Sequence, residues 1–213
     1  VSCFEYDKVC ADTGPAFFVS ATNVRTGKIR VFSGTEISTE AIMASACLPT
    51  LFQAVELEDR KTGAREAFWD GGYTGNPALF PLFSRDLPAD LVVVNINPLF
   101  RPDVPRTAQD IQNRINEISF NSSLLRELRA ISFVKRLIAE GRFKAGEMAD
   151  INVHMIADDT LMRELSVATK LIPSAVVLTR LKDAGRAAAG RFLEMHRADL
   201  GERSSVDLIE MFS

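Results

Sequence analysis

One carboxylate in this chain stands in a setting that favours acid–base chemistry. Residues 68–77, FWDGGYTGNP, place Asp70 after two aromatic residues and before two glycines. Aromatic neighbours would withdraw the carboxylate from water, which raises its pKa and makes it a stronger base than an exposed aspartate. Gly71 and Gly72 allow the backbone that follows to approach another segment or a ligand closely. The pattern therefore predicts a general base at Asp70, acting on a group that it deprotonates.

A plainer interpretation is that Asp70 only begins a turn, because Asp-Gly is among the commonest hairpin signals. Residues 70–75 contain three glycines, which is more than a minimal turn requires. We therefore favour a site over a simple turn. Asn76 and Pro77 are then predicted to hold the loop behind the acid.

Three segments around this motif, in this order, resemble the second half of the patatin-like phospholipases. They are FFVSATNVRTGKIRVFSG, AIMASACLPTLFQAV and FWDGGYTGNPALFPL, and the resemblance is most specific over residues 16–83. It implies a serine hydrolase of lipid acyl esters that works with a Ser-Asp dyad and without a catalytic histidine. Asp70 falls on the aspartate of the family's Asp-Gly-Gly motif, with Gly71 and Gly72 completing it. As the base, Asp70 would take the proton of the serine and return it to the leaving alcohol, so no metal or organic cofactor is required.

The family's nucleophilic serine lies in a Gly-x-Ser-x-Gly elbow, and these 213 residues contain no such motif. Only Gly71 and Gly75 stand four residues apart, and the residue midway between them is Tyr73. The chain begins at Val1 without Met, so we expect the C-terminal part of a longer protein whose N-terminal segment carries the nucleophile. The alternative is a non-catalytic lipid-binding or interaction module that retains the fold. A phosphotransfer enzyme is disfavoured, because no second Asp follows two residues after Asp70.

The elements that must position Asp70 are short antiparallel strands and one helix. A β-rich run with a Gly turn predicts a hairpin over residues 16–33, and a second pair, residues 51–59 and 65–70, ends at the motif. Between the pairs, residues 36–52 predict a helix with Ser38 as its N-cap and small residues along its length. Such a helix can pack very close to a neighbouring strand.

The second half of the chain predicts a sheet with helices. Residues 89–98, ADLVVVNINP, form a continuous apolar run that is typical of a strand covered on both faces, and residues 151–158 predict a later strand. We therefore predict an α/β fold class: a layered patatin-like hydrolase fold with a mostly parallel central sheet and flanking helices. Residues 1–213 would form the C-terminal part of one such domain. Without the N-terminal part, we expect either additional polypeptide packed on this strand or an open apolar face.

Residues 107–213 predict a mainly helical extension. Thr107 and Asp110 resemble a capping box, and a helical apolar stripe continues from there to Ile138. The sequence FNSS at residues 120–123 is expected to bend or divide this helix. A further helix is predicted over residues 180–201 and ends at its terminal glycine.

The charge and hydropathy of the chain limit the classes of partner that it is expected to bind. A net charge of −3 and a pI of about 5.5 give no general electrostatic reason to bind nucleic acid. No apolar run approaches the roughly 18 residues that suggest a membrane-spanning helix, and a cytoplasmic protein is predicted. Residues 126–144 carry six basic and two acidic side chains. That surplus is compatible with peripheral contact at a membrane, but a solvated helix face is the favoured interpretation.

The remaining reactive side chains are given structural roles. Cys3, Cys10 and Cys47 match no zinc-binding spacing and are interpreted as buried free thiols in a reducing compartment. His154 and His196 have no Asp and Ser nearby in sequence and are interpreted as packed or surface residues. Asp158 and Asp159 are interpreted as a turn or helix cap rather than a cation site, and no metal site is predicted.

Overall fold

The computed structural model describes residues 5, 14–49, 51–144, 146–165 and 174–212 of the chain. The chain divides into two compact units, of which the first ends at Pro81 and the second begins at Leu82. Both units contain strands and helices, so the mixed α/β class is confirmed. The patatin-like layered arrangement and the single domain stay predictions. Cys3 and Cys10 lie outside the described residues.

The first unit contains a four-stranded sheet in the order β2-β1-β4-β3. Its strands are β1 (Phe18–Asn23), β2 (Ile29–Ser33), β3 (Val55–Asp59) and β4 (Ala64–Asp70). Both predicted hairpins are confirmed, and β1 also pairs with β4. All three pairings are antiparallel, and antiparallel strands were predicted for this segment. The short Gly turns explain the two hairpins, because parallel neighbours need a longer crossover connection.

Helix α1 (Thr39–Ser45) packs against this sheet. Ser38 is its N-cap as predicted, and the Ser38 Oγ accepts a hydrogen bond from the Ala41 N–H at 3.2 Å. The helix is shorter than the predicted 36–52 segment. Ala41 and Ala44 are fully buried, and their small side chains let the helix lie directly on the strands. They form one core with Val19, Ala21, Phe32, Ile37 and Phe68.

The second unit contains a two-stranded parallel sheet and several helices. Its strands are β5 (Asp90–Asn95) and β6 (Asn152–Ala157). Its helices are α2 (Ala108–Ala139), α3 (Asp159–Glu164), α4 (Ala175–His196) and α5 (Leu208–Phe212). Both strands are confirmed. Asp158 caps α3, in agreement with the cap interpretation. The predicted end of α4 at Gly201 is wrong, because the helix ends at His196 and a 3₁₀ turn over Arg197–Asp199 separates it from Gly201, which has a φ of 81°.

Helix α2 runs without interruption through FNSS, so the predicted bend at residues 120–123 is wrong. The polar side chains find partners without disturbing the helical backbone. The Asn121 amide donates to the Pro98 carbonyl at 2.9 Å, and the Ser122 hydroxyl donates to the Ser119 carbonyl at 2.8 Å. The Thr107 hydroxyl accepts from the Asp110 N–H at 3.1 Å, which confirms the predicted cap.

Strand β5 is covered on one face rather than two. Leu91 and Val93 are buried, whereas Val92 and Val94 are 46% and 67% exposed. On the face of the sheet that carries His154, Phe192 of α4 packs over β6. The ring centroids of His154 and Phe192 are 5.9 Å apart. The prediction of a strand covered on both faces is therefore wrong for the part of the chain that the structure describes. An open apolar strip results along β5.

A buried ion-pair cluster joins the two edge strands of the first sheet. The Arg30 Nε of β2 donates to both Asp59 oxygens of β3 at 3.0 Å, and the Arg30 Nη2 reaches Glu36 Oε1 at 2.5 Å. Arg30 and Asp59 are 7% and 4% exposed. Hydrogen bonds from Arg30 hold the pKa of Asp59 and of Glu36 below their usual values. Because β2 and β3 are the outer strands, this contact requires the sheet to curl.

We predict that Asp59→Asn lowers the free energy of unfolding by about 3 kcal/mol, because it leaves the buried Arg30 with only Glu36 as a carboxylate partner. Urea unfolding at neutral pH measures the change. Glu56→Gln is the matched control on β3, because its pair with Arg65 is exposed and should contribute less than about 1 kcal/mol.

The Asp59 contribution should also depend on pH. A carboxylate whose pKa is lowered by folding stabilises the fold above its ordinary pKa, about 3.9 for Asp, and loses that effect as pH falls through the folded value. The stability gap between wild type and Asp59→Asn should therefore narrow below about pH 4. Equal stability of the two proteins at neutral pH would show that the cluster contributes nothing.

Candidate functional site

Asp70 is the last residue of β4, and its backbone is held from two sides. The Asp70 N–H donates to the Cys47 carbonyl at 2.8 Å. The Asp70 carbonyl accepts from the Thr22 hydroxyl of β1 at 2.8 Å, and Asp70 itself stands opposite Ala21 in the β1–β4 ladder. The residue is therefore positioned by a neighbouring strand and by the segment that follows α1.

The Asp70 carboxylate is half-buried and has one hydrogen bond to the backbone. Its Oδ1 accepts from the Gly72 N–H at 2.7 Å, and it thereby caps a 3₁₀ turn over Gly71–Tyr73. Burial raises the pKa of Asp70, and the Gly72 hydrogen bond opposes that rise only in part. This is the direction that the sequence predicted. Burial, and then the charge of Asp70, raises the pKa of Tyr73 as well.

Gly71 brings β4 into very close contact with β1. A Cβ at position 71 would lie 2.2 Å from the Ser20 carbonyl oxygen and 2.5 Å from the Ser20 Oγ. Both distances are below van der Waals contact, so only glycine fits without movement of the backbone. The close approach that the Gly-Gly pair predicted is thus an approach to the chain's own strand.

All the predicted site residues except Gly71 line one cavity of about 300 Å³ in the first unit. Asp70, Gly72, Asn76 and Pro77 all line it. The Asn76–Pro77 peptide is cis. The other lining residues are Phe18, Ser20, Val31, Ser45, Gly75, Ala78 and Pro81. The structure therefore places a half-buried carboxylate in a recess with both hydroxyl and apolar walls.

The sequence did not identify Ser20 and Ser45 as neighbours of Asp70. A signal for Ser20 exists in β1, where Val19 and Ala21 enter the core and the residues between them take the opposite face. Phe68 and Trp69, which the sequence predicted would partly desolvate the carboxylate, do not line this cavity. Phe68 instead packs edge-on against Phe32, with ring centroids 5.6 Å apart.

The hydroxyl that a Ser-Asp dyad requires is not bonded to Asp70 within the described residues. The carboxylate's hydrogen bond there is to the Gly72 N–H. Thr22 and Thr74 hydroxyls lie 2.9 Å apart and hold the turn, and the Thr22 hydroxyl contacts the Asp70 carbonyl rather than its carboxylate. Among the described residues, the Asp70 carboxylate is therefore held by a backbone N–H and not by a hydroxyl group.

A second polar cluster lies in the second unit and contains Asp, His and Ser. His154 Nε2 lies 3.0 Å from Asp90 Oδ1, and His154 Nδ1 lies 3.1 Å from Ser205 Oγ. The interpretation of His154 as a packed residue is confirmed, because its side chain is fully buried, but the fold also brings it beside an Asp and a Ser that are distant in sequence. The signal was invisible in sequence because the three residues are distant along the chain and meet only through the β5–β6 pairing.

The geometry of this cluster favours a structural role. His154 is fully buried, and Asp90 Oδ2 accepts from the Gly201 N–H at 2.8 Å. The Ser205 N–H donates to the Val153 carbonyl at 3.1 Å, and this hydrogen bond places Ser205 beside β6. The hydrogen bonds of Asp90 and Ser205 to the backbone tie this cluster to the segment around residues 201–205. The cluster fastens residues 201–205 to the parallel sheet.

Other features of the described residues set limits on ligands. No group of three or more His, Cys, Asp or Glu side chains among them has the arrangement of a metal site. None of the helices in those same ranges combines the length and hydropathy needed to cross a bilayer. Cys47 is a buried free thiol, as predicted.

Comparison with known proteins gives no match: no family model, no curated protein and no solved structure is similar to this chain. The geometry at Asp70 is therefore the main physical basis for a functional proposal.

We predict that Gly71→Ala lowers the free energy of unfolding by about 3 kcal/mol, because the new methyl group forces β4 away from Ser20. Gly190→Ala is the control within α4, where an added Cβ meets nothing within 4 Å. That change should instead raise stability by about 0.5–1 kcal/mol through the higher helix propensity of Ala. Thermal unfolding of both variants tests whether Gly71→Ala lowers stability while Gly190→Ala raises it. Unchanged stability of Gly71→Ala would contradict the close approach of β4 to Ser20.

Proposed function

We propose that this protein is a serine-type carboxylic ester hydrolase that acts on lipid acyl esters, with Asp70 as its general base. The observation that supports the proposal is the half-buried Asp70 carboxylate, whose pKa is raised by burial, on the wall of a cavity. A base is most effective when its pKa approaches the working pH, and burial moves Asp70 in that direction. The resemblance of residues 16–83 to patatin-like phospholipases supplies the reaction class.

In this mechanism the nucleophilic serine comes from an N-terminal segment of the same protein, which carries the Gly-x-Ser-x-Gly elbow. Because the Gly72 N–H is bonded to Oδ1, we assign Asp70 Oδ2 as the atom that accepts the serine proton. The serine oxygen attacks the ester carbonyl, and the proton passes from Asp70 to the leaving alcohol. Asp70 then takes a proton from the water molecule that attacks the acyl-serine and gives that proton to the serine oxygen as the fatty acid leaves.

The loop around Asp70 has a positioning role in this proposal. Gly71 allows β4 to end against β1, and Gly72 orients the carboxylate through its N–H. Asn76 and Pro77 form the far wall of the cavity, with Phe18 and Val31 as apolar walls. We propose that these apolar walls contact the acyl chain near the ester. The site uses no metal or organic cofactor.

The second candidate function is a non-catalytic lipid-binding or interaction module. It is favoured by one observation, that the described residues provide no hydroxyl bonded to the Asp70 carboxylate. Under this alternative the cavity binds a lipid without chemistry. Both proposals include a cytoplasmic location and peripheral contact with membrane lipid, and neither includes nucleic acid.

We predict that Asp70→Asn, made in the protein with its N-terminal segment present, lowers turnover of a short-chain nitrophenyl ester by ~10²–10⁴-fold. The amide keeps the shape of the side chain but cannot accept the serine proton, so thermal unfolding should be nearly unchanged. Asp86→Asn is the matched control, because Asp86 is exposed and does not line the Asp70 cavity.

The pH profile separates a base from a merely structural acid. Since the base must be deprotonated, wild-type turnover should rise with pH through the raised pKa of Asp70. The residual turnover by Asp70→Asn should not show this rise with pH. If Asp70→Asn turned over the ester at the wild-type rate and showed the same fall in turnover at acidic pH, Asp70 would not be part of the mechanism.

A covalent probe locates the nucleophile. We predict that a fluorophosphonate labels one serine of the intact protein, in the N-terminal segment, and that Asp70→Asn slows the labelling. Peptide mass spectrometry identifies the site. Labelling at Ser20 or Ser45 would place the nucleophile in the described cavity instead. Lipid binding without any labelling would support the non-catalytic module.

A further inference from the structure

The second unit contains a separate groove between the C-terminal half of α2 and the short helix α5. It encloses about 820 Å³, within the range of roughly 300–1,000 Å³ that is usual for small-ligand sites. Its walls are mainly apolar, and Phe133 and Ile209 in these walls are 52% and 64% exposed. This groove is independent of the hydrolase proposal.

Two guanidinium groups stand over aromatic rings of the groove. Arg129 Cζ lies 5.4 Å from the ring centroid of Phe212, and Arg136 Cζ lies 5.3 Å from that of Phe133. Arg129 also donates to the Phe212 carbonyl at 3.2 Å. The ion pair between Arg136 and Glu140 is long, at 3.9 Å, and Arg136 is 65% exposed. Stacking orients both guanidiniums and leaves N–H groups for an anion.

The other charged residues that line the groove are already engaged. Lys135 pairs with Asp150 and donates to the Ile151 carbonyl. Asp207 Oδ1 accepts from the backbone N–H groups of Ile209 and Glu210, at 2.8 and 3.2 Å, and so caps α5. Three basic and two acidic side chains line the groove, so a surplus of one positive charge remains there.

We propose that this groove binds a long-chain fatty carboxylate, with the acyl chain between α2 and α5 and the carboxylate on Arg129 and Arg136. A guanidinium presents paired N–H donors that match the two oxygens of a carboxylate. The acyl chain would cover the exposed surfaces of Phe133 and Ile209, which is the favourable hydrophobic contribution. A concave groove of this size fits a single chain better than the flat surface of a bilayer.

Titration of the complete chain with dodecanoate below its micelle concentration tests this site. Calorimetry should show saturable binding, and Arg129→Gln combined with Arg136→Gln should weaken it by roughly tenfold or more, as expected for lost charge-assisted hydrogen bonds. Arg126→Gln is the matched control, because Arg126 is an exposed arginine of α2 that does not line the groove. Dodecyltrimethylammonium, which has the same tail and the opposite charge, should bind weakly to wild type.

Two further experiments test the proposal even if the double arginine variant does not fold. A diazirine analogue of dodecanoate should cross-link to peptides containing Phe133 or Ile209 in unmodified protein. Ile209→Gln should weaken dodecanoate binding and leave thermal unfolding unchanged, since that side chain is exposed. Equal affinity of the double arginine variant would overturn the proposal. Binding to phosphatidylserine-containing vesicles without binding of monomeric dodecanoate would overturn it too, in favour of a membrane surface.

Discussion

The contact between Gly71 and Ser20 is the constraint on which the candidate site depends. A side chain at position 71 would overlap the Ser20 backbone, so β4 can end beside β1 only because residue 71 is glycine. That ending allows the Thr22 hydroxyl to reach the Asp70 carbonyl and the Asp70 N–H to reach Cys47. The carboxylate is therefore oriented by backbone packing rather than by a charged partner. Its reactivity can be tuned by burial without an ion pair that would lower its pKa.

Two aspartates of the first unit illustrate the effect of such a partner. Asp59 and Asp70 are both withdrawn from water, which by itself raises the pKa of a carboxyl group. At Asp59 the hydrogen bonds from Arg30 outweigh desolvation, and the pKa is lowered. At Asp70 the single Gly72 N–H does not outweigh it, and the pKa is raised. The same residue type is thus a structural anion at one end of the unit and a candidate base at the other.

Local patterns predicted local structure well in this chain. The hairpins and the Ser38 and Thr107 caps depend on residues close in sequence, and all were predicted. Errors arose where distant segments decide the outcome. Continuous apolar residues in β5 suggested two covered faces, but coverage depends on which helices return to the sheet. FNSS suggested a break in α2, but the Pro98 carbonyl provides a partner for Asn121. Ser20, Ser45 and the His154 cluster are likewise products of tertiary contact.

The contrast between Asp70 and the His154 cluster also shows why side-chain identity alone does not define a catalytic site. Asp90, His154 and Ser205 have the types and distances of a hydrolase triad, yet the imidazole has no exposed surface and Asp90 also binds a backbone N–H. A catalytic hydroxyl must reach both its base and a substrate carbonyl. Asp70 lacks a hydroxyl partner among the described residues, but it lines a cavity. For this reason we propose Asp70, rather than the His154 cluster, as the candidate base.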